Sequence, residues 1–150
     1  MRIANKKAHF NYFIFDKFEA GIVLHGAEVK SIRLGKVDIT DGYIYITKNM
    51  DAEILNVTIQ QYSHATLEKQ KFEPKRPRRL LLHQKEIAKI AGKIKTGGFT
   101  AVVLAMYINK RKKVKLEIAL AKGKKMHDKR QDIKKKDIER QNKQTAKIVP

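Results

Sequence analysis

A small closed β-barrel of about six short strands, with flanking helices and a basic C-terminal tail, is the fold class this sequence predicts. Three observations carry that prediction. Short apolar runs with strand composition recur along the first 121 residues, one segment has helical apolar spacing, and positive charge crowds the end. The 150 residues suit one ordinary domain with an appendage, and 42% hydrophobic content is enough for a core.

The elements follow in order. Residues 9–15 are aromatic and β-branched, the composition that strands favour. In residues 18–24, Phe18, Ala20, Ile22 and Leu24 alternate with Glu19, Gly21 and Val23, which places one set inward. A short helix is expected over residues 28–34, with Val29 and Ile32 on one side and Gly35 stopping it. Residues 43–47 and 52–62 read as two strands joined by a hairpin turn at 48–51. Pro74 and Pro77 make residues 69–79 a loop.

Residues 84–96 are the clearest helix, because Ile87, Ile90, Ala91 and Ile94 fall at i, i+3, i+4 and i+7. Gly97 and Gly98 end it. Residues 99–108 are apolar on both faces, as in a central strand. Residues 114–121 alternate cleanly, with Val114, Leu116, Ile118 and Leu120 inward and Lys115, Glu117 and Ala119 outward. An oligonucleotide-binding (OB) type barrel fits this set best.

The tail differs in kind. Residues 122–150 carry 11 Lys/Arg and 4 Asp/Glu, more than twice the net positive charge density of residues 1–121. Met126, Ile133, Ile138, Ile148 and Val149 are too scattered to dock a helix on a core. The domain boundary therefore falls near residues 121–124. The pairs Asp132–Lys136, Lys135–Glu139 and Glu139–Lys143 have helical i,i+4 spacing, each worth a few tenths of a kcal/mol. The free tail is expected to be disordered or fraying and to become helical against a polyanion.

A net charge of +19 calls for a polyanionic partner, nucleic acid or an anionic membrane surface. No helix pairs its lysines with bulky apolar residues, and the longest apolar run, residues 101–108, is too short to span a bilayer. With a polar N-terminus the chain reads as cytoplasmic, with no membrane partner. Cysteine is absent, so no disulfide, thiolate nucleophile or cysteine zinc site exists. His9, His25, His64, His83 and His127 have no metal-ligand spacing, and neither a GxSxG elbow nor a phosphate-binding loop is present. Asp38 and Asp41 flank Thr40 as turn caps do. No cofactor, small-molecule substrate or catalytic residue is expected.

The basic residues Lys6, Lys7, Arg33, Lys36, Lys75, Arg76, Arg78, Arg79 and Lys110–Lys113 fall around strand ends and loops. Arg76, Arg78 and Arg79 offer forked guanidiniums to phosphates or unpaired bases. With 7% aromatic residues, recognition of folded RNA by shape is favoured over a stacking platform for single strands. Glu19 on such a surface is a salt-bridge partner or a reader of base amino groups; alternation alone favours the salt bridge.

Five motifs then stand out in order: Asn5-Lys6-Lys7-Ala8 ahead of Tyr12, Phe18-Glu19-Ala20-Gly21, Gly26-Ala27-Glu28-Val29-Lys30-Ser31-Ile32-Arg33, Arg79-Leu80-Leu81-Leu82-His83 and Gly123-Lys124-Lys125-Met126-His127-Asp128-Lys129-Arg130. Together they resemble the small protein B (SmpB) family, the SsrA-binding proteins of bacteria, over essentially the whole chain. One departure is Gly42, where the family pattern has serine.

The resemblance implies an OB-type barrel, residues 1–121, that binds the tRNA-like domain of transfer-messenger RNA (tmRNA) and delivers it to stalled ribosomes in trans-translation. Its partners would be tmRNA and the small ribosomal subunit with its rRNA, with elongation factor Tu a further one through the aminoacylated RNA. Glu19, Leu81 and Lys115 would belong to the RNA-binding surface, with Asn5, Lys6, Lys7, Glu28, Lys30 and Arg33 beside them. In the tail, residues 122–150, the implied decoding-centre residues are Gly123, Lys124, Lys125, His127, Asp128, Lys129 and Arg130. The tail would turn helical in an empty messenger channel. The alternative is a general RNA chaperone or ribosomal-type OB-fold protein.

Overall fold

The computed structural model of the protein describes residues 1–61 and 72–148. Tyr62, His64 and residues 69–71 of the expected loop lie outside the described residues. In chain order the elements are β1 (Arg2–Ala4), α1 (Lys6–Asn11), β2 (Tyr12–Ile22), α2 (Gly26–Arg33), β3 (Val37–Asp38), β4 (Tyr43–Ile46) and β5 (Ala52–Leu55). Then come β6 (Thr58–Ile59), β7 (Arg78–Leu81), α3 (Gln84–Gly97), β8 (Thr100–Ile108), β9 (Val114–Gly123) and α4 (Met126–Ile148).

Six strands pair in a closed ring, β8-β4-β5-β7-β2-β9 and back to β8. β1 adds to the outside edge of β8, and β3 pairs with β6 in a separate two-stranded ribbon. The protein is mainly β with flanking helices. Its core is the inside of the ring, where Ala20, Ile54, Val103, Met106, Leu116 and Ile118 are fully buried and Ile90 of α3 joins them.

The long β2–β9 ladder contains a bulge. Between Ile14 and Lys17, two residues on β2, Phe15 and Asp16, oppose one on β9, Leu120, and the extra residue reverses which side chains face inward. Before it, Tyr12 and Ile14 pack with Ala8, Leu104, Ala119 and Ala121 under α1. After it, Phe18 and Ile22 pack against the core and Ala20 lies within it. Ala119, expected to face water, is buried because α1 covers that stretch of the ring's outer face.

Residues 9–11 are helical rather than extended. Asn5 decides this: its Oδ1 accepts from Ala8 N at 3.2 Å, an N-cap that outweighs the strand composition. Its Nδ2 also donates to the carbonyls of Ile39, Thr40 and Val103 at 3.3, 3.1 and 2.8 Å. The expected strand over 52–62 breaks at Asn56, which adopts φ 59, so β6 turns away to pair with β3. The expected loop over 69–79 gives way at Arg78 to β7, because β7 closes the ring between β5 and β2.

The other expectations appear with shifted ends. α3 buries Ile87 and Ile90 and ends on Gly98 in the left-handed region, φ 68. β9 runs on through Gly123, and Lys124 N donates to Asn11 O at 2.8 Å. The tail departs from expectation. Expected to be disordered or fraying when free, it is helical from Met126 as α4, started by the anchored end of β9 and the Lys124–Asp132 pair, with Met126, Ile133 and Ile138 exposed. No described helix is long and apolar enough to cross a membrane.

Candidate nucleic-acid interface

Strand register brings distant residues into one row. Leu81 of β7 lies opposite Gly21 of β2, Gly21 opposite Lys115 of β9, Lys115 opposite Tyr107 of β8, and Tyr107 opposite Arg2 of β1. Leu81 is 56% exposed. Gly21 leaves a notch in the row: a Cβ there would stand 3.2 Å from the Leu81 Cβ. On one side Glu19, Leu81 and Lys115 line a shallow depression with Met50, Arg79 and His83. On the other, Leu81, Val23, Leu24 and Val29 form an apolar groove edged by Lys112, Lys113 and Lys115.

Charge along the row is ordered by neighbouring groups. Glu19 does not take the expected salt bridge; its Oε2 accepts from the Tyr107 hydroxyl at 2.6 Å. Partial burial and that bond to a carboxylate push the Tyr107 phenol up to about 12. Glu19 lies directly opposite Glu117 in the β2–β9 register, a repulsive placement. Arg2 and Lys17 offset it, approaching Glu117 at 2.8 and 3.7 Å. The Arg2 hydrogen bond holds the Glu117 carboxyl below the usual range. One Glu19 oxygen, Lys115 and Leu81 thus border a single recess whose members are a carboxylate, an ammonium and an apolar surface.

The expected arginine cluster splits. Arg79 is 63% exposed and 3.2 Å from Asp51, whereas the Arg78 side chain is fully buried. Arg78 Nε donates to Glu28 Oε2 at 2.6 Å, and its other nitrogens donate to Val57 O and Pro74 O, both at 2.9 Å. Arg76 reaches Glu28 Oε1 at 2.5 Å. Arg78 is therefore a structural tie and unavailable to phosphate.

Glu28 and Asn5, expected beside the RNA surface, are buried at 1% and 4% exposure. Burial raises the Glu28 carboxyl, but hydrogen bonds from Arg76, His25 N and Arg78 outweigh it and hold the group below its ordinary value. Arg78 is shifted the other way, downward, because its burial outweighs a carboxylate it shares with Arg76. It stays protonated all the same, given the height of a guanidinium pKa. Glu28 joins α2 to β7 and so fixes the strand that carries Leu81.

Lys30 and Arg33 sit in the last turn of α2, both exposed. Lys6 and Lys7 are exposed at the start of α1, beyond the opposite end of β1 from Arg2, so the row does not include them. Asp38 accepts from Thr40 N at 2.9 Å, the turn role expected of it. Tyr107, Arg2 and Glu117 were missed in the sequence, where only the register across five strands could have found them.

At the tail root, the Lys124 side chain is only 10% exposed. Its Nζ donates to His9 O at 3.1 Å and bonds Asp132. Lys129 stands over the Phe10 ring at 5.9 Å. Gly123, Lys125, His127 and Arg130 are exposed, and His127 Nε2 contacts Gln131 Nε2 at 3.1 Å. Among the described residues no three His, Cys, Asp or Glu side chains group as metal ligands.

The sequence matches the family model "SmpB protein" over residues 2–148. The chain belongs to the SmpB family. Its relatives include the SsrA-binding proteins of Ehrlichia canis (strain Jake), 48% identical over 139 residues covering 93% of this chain and 92% of that one, and of Rickettsia canadensis (strain McKiel), 52% identical over 136 residues covering 91% and 88%. Among solved structures, a chain of "tmRNA-SmpB: a journey to the center of the bacterial ribosome" superposes with a TM-score of 0.68 at 37% identity, covering 83% of this chain and 85% of its own. Membership thus extends through both the closed ring and α4.

Proposed function

We propose that this SmpB-family chain is an RNA-binding adaptor without catalytic activity, acting in the bacterial cytoplasm. It binds tmRNA and works with it at the ribosome in trans-translation. The observation that carries this reading is the row across five strands: Leu81, the Gly21 notch, Lys115, Tyr107 and Arg2, with Glu19 hydrogen-bonded to Tyr107. A notch flanked by an apolar side chain and an ammonium accepts a sugar–phosphate edge, while the free oxygen of Glu19 accepts from a base amino group.

In this reading the six-strand ring is an OB-type barrel, residues 1–121, and residues 122–150 are the working tail. Glu19, Leu81 and Lys115 contact the tRNA-like domain directly, and Lys30 and Arg33 of α2 contribute phosphate contacts beside them. Asn5 and Glu28 serve the same surface from inside, by fixing α1 and β7. Gly123, Lys124, Lys125, His127, Asp128, Lys129 and Arg130 engage the decoding centre. The exposure of Met126, Ile133 and Ile138 supports a tail whose helix depends on its surroundings.

The test is titration against the tRNA-like domain and an equally long folded control RNA over several salt concentrations. The adaptor reading expects a cognate advantage of roughly 100-fold that persists as salt rises. Curves that collapse together would favour a general RNA chaperone. Truncation after Lys125 is expected to retain that advantage and abolish tagging on stalled ribosomes; loss of both together would sink the division of labour.

A further inference from the structure

Although aromatic residues make up only 7% of the chain, the structure gathers three of its six phenylalanines at one place. On β2, Phe13 precedes the bulge and Phe15 lies within it, 44% and 49% exposed. Their face continues the one that further along the ladder forms the core, since Phe13 pairs with Lys122 while Phe18 pairs with Ile118. Here the face stays about half exposed, at the edge of α3 and the root of α4. Phe99 meets Phe15 edge-to-face with centroids 5.1 Å apart.

Lysines surround these rings. Lys122 stands 4.5 Å and Lys93 5.7 Å from the Phe99 centroid, and Lys124 stands 5.2 Å from that of Phe13. Two acids approach this edge: Asp16 is 3.1 Å from Lys89, and Asp132 pairs with Lys124. Exposed apolar rings are costly unless they serve a contact, and a surrounding set of ammoniums selects an anionic partner. The ammoniums lie over the rings as cation–π partners; an unpaired base takes their place by stacking on the ring, and its phosphate then meets the displaced lysine.

We propose that Phe13, Phe15 and Phe99, with Lys93 and Lys122, form a second RNA-contact surface that takes unpaired bases by stacking. It lies at the opposite end of the β2–β9 ladder from Gly21 and Lys115 and adjoins the root of α4 through Lys124. The two RNA surfaces are chemically distinct: the row reads a folded backbone, and this platform takes an open strand. It goes beyond the tmRNA reading and stands or falls independently of it.

The test measures the full chain against a short labelled oligoadenylate and against a fully paired RNA hairpin with the same number of phosphates. The intact protein is expected to prefer the open strand at every salt concentration. The double variant Phe13→Leu, Phe15→Leu keeps apolar bulk without a flat ring; it is expected to bind oligoadenylate roughly tenfold more weakly with an unchanged salt slope. Phe15→Tyr is expected to bind as the parent does. Lys122→Gln is expected to reduce the slope by about 0.7.

Affinity within twofold of the parent for the leucine variant, at an unchanged melting temperature, would overturn the proposal. So would equal binding of an oligoglutamate of matched charge, which would make the patch a general anion site. Binding of the tRNA-like domain by the leucine variant should be unaltered, so failure of the adaptor reading would show separately.

Discussion

Replacing Glu28 by Gln tests whether the site is held in place by a buried ionic tie. The carboxylate accepts from Arg76 at 2.5 Å, Arg78 at 2.6 Å and His25 N at 2.9 Å. Glutamine keeps the shape but removes the charge, leaving the fully buried Arg78 guanidinium with only the carbonyls of Val57 and Pro74 as strong partners. Breaking a buried pair from one side costs about 3–5 kcal/mol. For a chain of this size that lowers Tm by roughly 10 °C, at about 2–4 °C per kcal/mol.

Thermal and urea melts followed by circular dichroism measure this loss. A loss under about 1 kcal/mol would refute the reasoning, since that is the value of an exposed pair. The double variant Glu28→Leu, Arg78→Met is expected to recover much of the loss, because the fully buried cation is then gone and Arg76, 23% exposed, keeps access to water. The pH dependence has a definite sign. Glu28 has a depressed folded pKa, so its stabilisation is present above the unfolded value of about 4.3 and is lost as pH falls through the folded value. Glu28→Gln should remove that part of the acid limb. Because β7 meets β2 at Gly21–Leu81 and Ile22–Leu80, loosening it displaces Leu81, and affinity for the tRNA-like domain should fall along with stability.

Two further outcomes are expected. Alkaline titration of the tyrosines by ultraviolet absorbance should find one ionising late, near 12, and Tyr107→Phe should remove it; the bond from Tyr107 to Glu19 stabilises the fold below pH ~10 and is lost as pH rises through the folded value. Gly42→Ser should cost about 1–3 kcal/mol in a urea melt, because its Cβ would stand 2.7 Å from Val57 Cγ2 and 3.1 Å from Val103 Cγ2. A neutral result would mean that Val57 repacks freely.

The five motifs reach the family from residues alone because each packs unusual neighbours into a short stretch, and the comparisons agree over residues 2–148. Glu19 and Lys115 were legible as outward residues because strand alternation has a period of two. The roles of their neighbours were not. Arg76, Arg78 and Arg79 are identical in kind in the sequence, yet one is exposed, one is buried and one is intermediate, a difference set by where Glu28 of α2 comes to lie. Glu28 and Asn5 read as polar surface residues until the fold encloses them.

Local patterning, charge and motif order determined by themselves that this chain is a mainly β, strongly basic member of its family with one amphipathic helix. These are properties of neighbours in sequence, fixed by side-chain period and composition. Tertiary structure alone decided that Asn5 is pinned by the carbonyls of Ile39, Thr40 and Val103 where it caps α1, and that a bulge reverses β2 and leaves Phe13 and Phe15 half exposed. It also decided that Leu81, Gly21, Lys115, Tyr107 and Arg2 share a row. The reason is physical: register between strands far apart in sequence is set by closure of the whole ring, and no local stretch contains that information.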